Sequence, residues 1–188
     1  MTDEVFIRPL CVEDPPAVQR YAADEQVART TNTPWPYPED GGEQFVENRM
    51  AAHAEGRSFS FAILFHGDLI GVVGINAANR EEMSESCDYA IASSHWNKGI
   101  ATRAVALALR FAFVELGLKA IRSACLQRNP ASGRVLRKNR FREIGEFLYS
   151  SSKFQNEPAL NFELLRHVWI SPSSSSTSAA PRSPDWSP

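Results

Sequence analysis

Cysteine is scarce: Cys11, Cys87 and Cys125 are too few and too far apart for a disulfide framework or a metal cluster, and we read a reducing compartment. Long apolar runs are missing as well. The longest, Ala104 to Leu116, is broken by Arg110 and Glu115 and cannot span a bilayer. No basic segment with an apolar core follows Met1, so the expectation is a soluble cytoplasmic protein without a membrane partner. G-x-G-x-x-G does not occur, and no spaced glycines end in Lys-Ser or Lys-Thr, which excludes a dinucleotide fingerprint and a Walker-type P-loop. Core-forming residues are plentiful. With 188 residues, 43% apolar and 10% aromatic, the chain can bury one domain's core and is not disordered throughout.

The net charge of −2 conceals an asymmetry. Residues 1–95 carry 16 acidic and 6 basic side chains, whereas residues 96–142 carry 11 basic side chains and one acidic, Glu115. Such a split suggests that the basic stretch faces a polyanion, or that the two halves neutralise each other.

Along the chain, Phe6 to Leu10 begins as a strand, and Glu13-Asp14-Pro15 signals a helix running through Tyr21. The prolines of Thr33 to Pro38 forbid regular helix there. Glu39 to Ala54 has helical spacing and stops at Gly56. Ser58–Phe65 and Leu69–Ile75 flank His66-Gly67-Asp68, which predicts an antiparallel hairpin. A strand at Cys87–Ala92 precedes an apolar helix from Gly99 to Leu116, then a buried strand at Ala120–Leu126. A short helix at Ala131–Lys138 and strands at Phe141–Phe147 and Leu160–Leu165 follow. The order β-α-α-β-β-β-α-β-α-β-β predicts an α/β fold around one mixed sheet with a strand–helix–strand crossover in its middle. From residue 170 the Ser/Pro-rich sequence is expected to be a disordered tail, leaving 1–169 as the domain.

The segment that carries chemistry is C-D-Y-A-I-A-S-S-H-W-N-K-G-I-A-T, Cys87 to Thr102. The free N–H groups opening the apolar helix, reinforced by its dipole, make an anion site of phosphate size. Gly99 and Ala101 allow close approach to the main chain, while Lys98 and Thr102 could add a charge and a hydroxyl. An ordinary helix start that uses Gly99 for the turn alone is the competing reading.

Trp96-Asn97-Lys98-Gly99-Ile100-Ala101 resembles the coenzyme A pyrophosphate loop, Q/R-x-x-G-x-G/A, of the GNAT superfamily of N-acetyltransferases. The leading Trp and the continuation W-x-K-G-x-A-T-x-A resemble the RimJ/RimL branch. A second block, Asn129-Pro130-Ala131-Ser132 followed by Val135 to Phe141, is similar to the family's N-x-x-S-x-x-V-x-x-K-x-G-F. The resemblance covers about residues 5–167 and includes the opening I-R-P-L and the P-W-P-Y-P loop. Asn97 stands where the branch commonly has Gly, and Arg140 where most members have Gly before the Phe.

The resemblance implies a single GNAT-like domain, with a mixed, mostly antiparallel central sheet flanked by helices. It implies acetyl-CoA as cosubstrate, no metal, and transfer of acetyl to an amine by direct attack in a ternary complex. The cosubstrate would lie against Tyr89, Ala90 and Ile91, whose strand splays from its neighbour, with an N–H near Ile91 polarising the thioester carbonyl. It would also meet residues 96–102, Asn129, Ser132, Arg134 and Lys138. Ser132 would protonate the leaving sulfur, with Tyr149 as runner-up. The family's usual Glu aligns with Ser86, so the candidate bases are Asp88, Glu85 and His95, in that order. Trp35 and Tyr37 would shape the acceptor pocket, and the acidic half would receive a cationic amine. An α-amine, with a pKa of about 7.7–8.0, tolerates a weaker base than a lysine at about 10.4, so the expected acceptor is a protein or peptide N-terminus. A small amine such as an antibiotic or polyamine, or coenzyme A binding without catalysis, are the alternatives. Nucleic acid is not expected, because the basic residues lie partly on a buried helix and strand, not in an aromatic-interleaved patch. A monomer or homodimer is expected.

Overall fold

The computed structural model describes residues 4–76, 86–150 and 152–171. Seven strands form one sheet: β1 (Val5–Pro9), β2 (Ser58–Phe65), β3 (Asp68–Asn76), β4 (Ser86–Ile91), β5 (Ala120–Leu126), β6 (Arg142–Leu148) and β7 (Pro158–Leu165). Their order across the sheet is β1-β2-β3-β4-β5-β7-β6, antiparallel except between β4 and β5. The β2–β3 hairpin turns at His66-Gly67, both with positive φ (53° and 90°), as a two-residue turn between right-twisted strands requires.

The helices are α1 (Pro15–Ala22), α2 (Glu25–Thr30), α3 (Gly41–Ala54), α4 (Ile100–Arg110), α5 (Pro130–Lys138) and α6 (Arg166–Ile170). Two of them, α2 and α6, are absent from the order read in the sequence. At six and five residues they are too short for periodicity to show. The apolar helix expected to reach Leu116 does so as α4 followed by a π-helical turn, Phe111–Glu115, in which the Leu116 N–H reaches back to Phe111 O at 3.1 Å. Gly117 then ends it with φ 66°. Helix α6 reaches residue 170, the expected start of the tail, and 172–188 lie outside the described residues.

Strand alternation sends two sets of side chains to opposite faces of the sheet. Phe61, Ile63, Val73, Ile75, Cys87 and Ile91 pack with Ala104, Val105, Ala108 and Leu109 of α4 and with Leu136 of α5. Ala62 and Val72 pack on the other face with Val18 and Tyr21 of α1, Val27 of α2 and Val46 of α3. Each fully buried Phe, such as Phe61 or Phe113, contributes about 1.5–3 kcal/mol over an exposed one. The two layers thereby hold α4 and α1–α3 on opposite sides of β4.

Candidate functional site

Strands β4 and β5 share one register pair, Ser86 with Arg122, and part beyond it. A cleft of about 1030 Å³ occupies the gap. The ladder fixes what β4 offers to it. Ala92 N–H donates to Ile70 O at 2.8 Å, so in the antiparallel alternation Ala90, opposite Val72, also turns its main-chain groups toward β3. Tyr89 and Ile91 turn theirs toward the cleft. Two contacts agree: the Trp96 indole donates to Ile91 O at 2.8 Å, and Ser123 Oγ donates to Cys87 O at 2.8 Å.

At the top of β4 the chain turns through Asn97 (φ 62°) and Gly99 (φ 77°), both left-handed, into α4. The first helical bond is Arg103 N–H to Gly99 O, 3.2 Å, so the N–H groups of Ile100, Ala101 and Thr102 lie ahead of the ladder at the positive end of an eleven-residue helix. All three residues line the cleft. A diphosphate fits that chemistry, and Arg134 and Lys138 of α5 line the same cleft. The left-handed φ of Asn97, and of Arg140 (68°), explains why glycine suits both positions in the pattern quoted above.

Across the gap, Asn129 caps α5 by accepting from Ser132 N–H at 3.3 Å. Ser132 Oγ lies 2.8 Å from the Tyr89 hydroxyl, which also reaches Ser132 O at 3.2 Å, so the side chain of β4 meets the start of α5. Burial pushes the Tyr89 phenol up, against the opposing Ser132 bond. Tyr149 lines the cleft too, its ring 5.0 Å from Phe147 and 5.9 Å from Phe154.

Asp88 points from β4 into the α1–α3 side of the cleft. Its carboxylate receives Asn76 Nδ2 at 3.5 Å and faces the Arg49 guanidinium at 3.9 Å. Gly74 on β3 leaves it room, since a Cβ there would collide with Oδ1. Water reaches the side chain, which is 54% accessible, while the atoms packed around it in the cleft still desolvate the carboxylate in part. That desolvation raises the carboxyl pKa, and Arg49 and Asn76 pull against it. A carboxylate held with a raised pKa in a cleft has the character of a proton acceptor.

The Acetyltransferase (GNAT) domain model matches residues 4–142, most of the chain. The chain belongs to the GNAT acetyltransferase family. RimJ from Mycobacterium smegmatis, solved with a CoA-disulfide, is 24% identical with a TM-score of 0.79, covering 89% of this chain and 84% of its own. Ribosomal-protein-S5-alanine acetyltransferase from Vibrio fischeri is 20% identical with a TM-score of 0.77, covering 91% and 98%. Spermidine N-acetyltransferase from Vibrio cholerae, solved with CoA and spermine, is 18% identical with a TM-score of 0.77, covering 90% and 100%. At these identities the likeness is one of fold, and it spans enzymes named for protein termini and for polyamines. No curated protein matches the chain in sequence.

Within this GNAT fold, the cleft gathers Asp88, Tyr89, Ile91, Trp96, Asn97, Gly99 to Thr102, Asn129, Ser132, Arg134, Lys138, Tyr149 and Tyr37. Ala90 lines it as well, although its main-chain groups serve β3. Lys98 instead lines a smaller pocket with Phe65, His66, Ile100 and Arg103. Trp35 is 51% exposed and outside the cleft lining. His95 also lines the cleft, half-buried beside Ser94 at 3.0 Å, and burial, then the Lys98 charge, lowers its pKa. Glu85 lies outside the described residues. Among the described residues one carboxylate of the acidic half, Asp88, lines the cleft, and Glu81, Glu82 and Glu85 lie outside the described residues. Among the described residues, three arginines of the basic stretch find their acids outside the acidic half. Arg122, Arg128 and Arg137 pair with Glu163, Glu157 and Glu143, which belong to the C-terminal strands and loops.

Sequence reading missed Arg49 and Asn76. They meet Asp88 only because α3 packs on β2 and β3, where Ser58 Oγ donates to Asn76 Oδ1 at 2.8 Å and Arg49 lies over the Phe45 ring at 5.1 Å. No local signal marks an arginine in mid-helix as a carboxylate's neighbour. Among the described residues no helix is long and apolar enough to cross a membrane, and no group of three His, Cys, Asp or Glu could hold a metal.

Proposed function

We propose that the chain is an acetyl-CoA-dependent N-acetyltransferase whose acceptor is the α-amine of a protein or peptide. The observation that carries the acceptor class is that Asp88, with Arg49 at 3.9 Å, is the one carboxylate among the described residues lining the cleft. A polycation wants several acids, whereas one amine at the end of a chain needs one proton acceptor and neutral walls, which Tyr21, Tyr37, Phe45, Thr30, Thr31 and Asn48 supply.

Acetyl-CoA, when bound, supplies an acetyl thioester. The N–H groups of Ile100, Ala101 and Thr102 would hold its diphosphate, with Arg134 and Lys138 available to the remaining phosphate. The cleft-facing N–H of Ile91 or Tyr89 would meet negative charge developing on the carbonyl oxygen. Asp88 takes the proton of the attacking amine at its carboxylate, directly or through water. Its raised pKa brings it closer to the α-amine's own value of about 7.7–8.0. The Ser132 hydroxyl, held by Tyr89, returns a proton to the departing sulfur.

Incubation with labelled acetyl-CoA and parallel panels of peptides, lysine-blocked peptides, polyamines and aminoglycosides tests this. Label on peptide N-termini is expected. Label confined to polyamines or aminoglycosides overturns the acceptor class, and calorimetry showing no coenzyme A affinity overturns the whole reading.

A further inference from the structure

Besides the Ser86–Arg122 pair and the Ser123–Cys87 and Tyr89–Ser132 contacts, a further tie joins the two halves of the split sheet, and it runs through residues that line the cleft. Helix α2 and the residues after it line the cleft through Val27, Thr30, Thr31 and Thr33. At the start of α2, Asp24 accepts from Gln26 N–H at 2.9 Å, and its other oxygen receives the Ser93 hydroxyl from the turn after β4. At the far end the donors come from the opposite half. Lys153, on the β6–β7 connection, gives its ammonium to the main-chain carbonyls of Ala28 and Thr33 and, at 3.3 Å, of Thr31. Arg128, after β5, donates to Arg29 O at 2.8 Å while holding Glu157 at 2.6 and 3.2 Å. Both cations lie over the ring of buried Phe154, each 5.5 Å from its centroid.

A six-residue helix cannot hold itself, and its last carbonyls have no helical donors. Cations at that end satisfy the carbonyls and favour the dipole. The position of α2 is therefore set by what grips its two ends.

We propose that Lys153 is a positioning residue for the acceptor: by gathering three main-chain carbonyls it straps α2 across the gap and sets the width of the passage to Asp88. A narrow chain end carrying an amine enters, and a bulky amine is refused. This rests on the reading that the acceptor amine is delivered to Asp88.

The test compares the full-length parent chain with Lys153→Met and Lys153→Arg. Hydrogen exchange of the unliganded protein is expected to speed up about tenfold over residues 26–33 in Lys153→Met, with little change elsewhere. In steady state its acceptor KM rises about tenfold while the acetyl-CoA KM stays within about twofold, and branched amines refused by the parent gain turnover. Lys153→Arg, which keeps the charge and the donors, restores most of both. Unchanged exchange together with an unchanged acceptor KM overturns the proposal. So does an equal loss toward both substrates accompanied by a lower melting temperature, the signature of general damage. If Lys153→Met does not fold, Arg128→Gln cuts the neighbouring tie and is read the same way. A parent that acetylates no amine sinks the acceptor reading instead, and the exchange comparison alone then decides whether the strap exists.

Discussion

On the α4 and α5 side of β4 the cleft is walled by main-chain groups: three N–H groups ahead of the α4 ladder and the outward groups of Tyr89 and Ile91. On the α1–α3 side it is walled by side chains, with Asp88 held by Arg49 from one element and Asn76 from another. The first wall offers donors suited to a diphosphate, and it depends on backbone shape more than on residue identity. The second discriminates by chemistry and is remade by single substitutions.

Substitutions on the two walls should separate accordingly. Asp88→Asn is expected to lower kcat by about 10²–10⁴ while leaving coenzyme A affinity within about twofold, read by steady-state kinetics beside calorimetry. Because burial raises the Asp88 pKa in the folded chain, its ionisation opposes folding as pH climbs from the unfolded value toward the folded one. Asp88→Asn should therefore melt no lower than the parent at neutral pH, the reverse of what a structural carboxylate would give. Gly99→Val attacks the other wall: a β-branched residue in the left-handed region costs about 1–2 kcal/mol, and the loss should appear in coenzyme A affinity and not in selectivity among acceptors. Asn129→Ala should remove about 1 kcal/mol of stability through its lost cap. If Asn129 serves the cap alone, thermal melts fall and coenzyme A affinity holds, whereas a paired loss assigns its amide to the cosubstrate. Arg49→Met gives the smallest effect. Removing the opposing charge lets desolvation push Asp88 higher, so the acid limb of kcat/KM moves to higher pH, and a limb that stays in place would show that another group is the base.

The same contrast sets what could be read without coordinates. Gly99, Ala101 and the Cys87–Thr102 order predict the strand, left-handed turn and open helix start that the structure has, because main-chain donors depend only on those elements following one another. The β2–β3 hairpin and α5 were legible for the same reason, from His66-Gly67 and from Asn129-Pro130. Asp88 could be ranked ahead of Glu85 and His95, but its neighbours could not be named, since alternation says which residues share a face and not which face meets the cleft. Arg49 and Asn76 were out of reach because their meeting depends on three elements far apart in sequence. Helix α2 left one faint mark, Asp24 before Glu25 and Gln26, which is a cap without a periodic run behind it.

Arg140 holds a left-handed corner where a glycine would sit at ease, and its guanidinium reaches Trp169 O at 3.2 Å and Ser171 O at 2.7 Å. Torsional discomfort at one bend is thereby exchanged for a clasp on the far end of the domain. A glycine at this position would relax the bend and release the clasp together. The two effects have opposite signs, so a melting curve would record little while the last helical turn came loose.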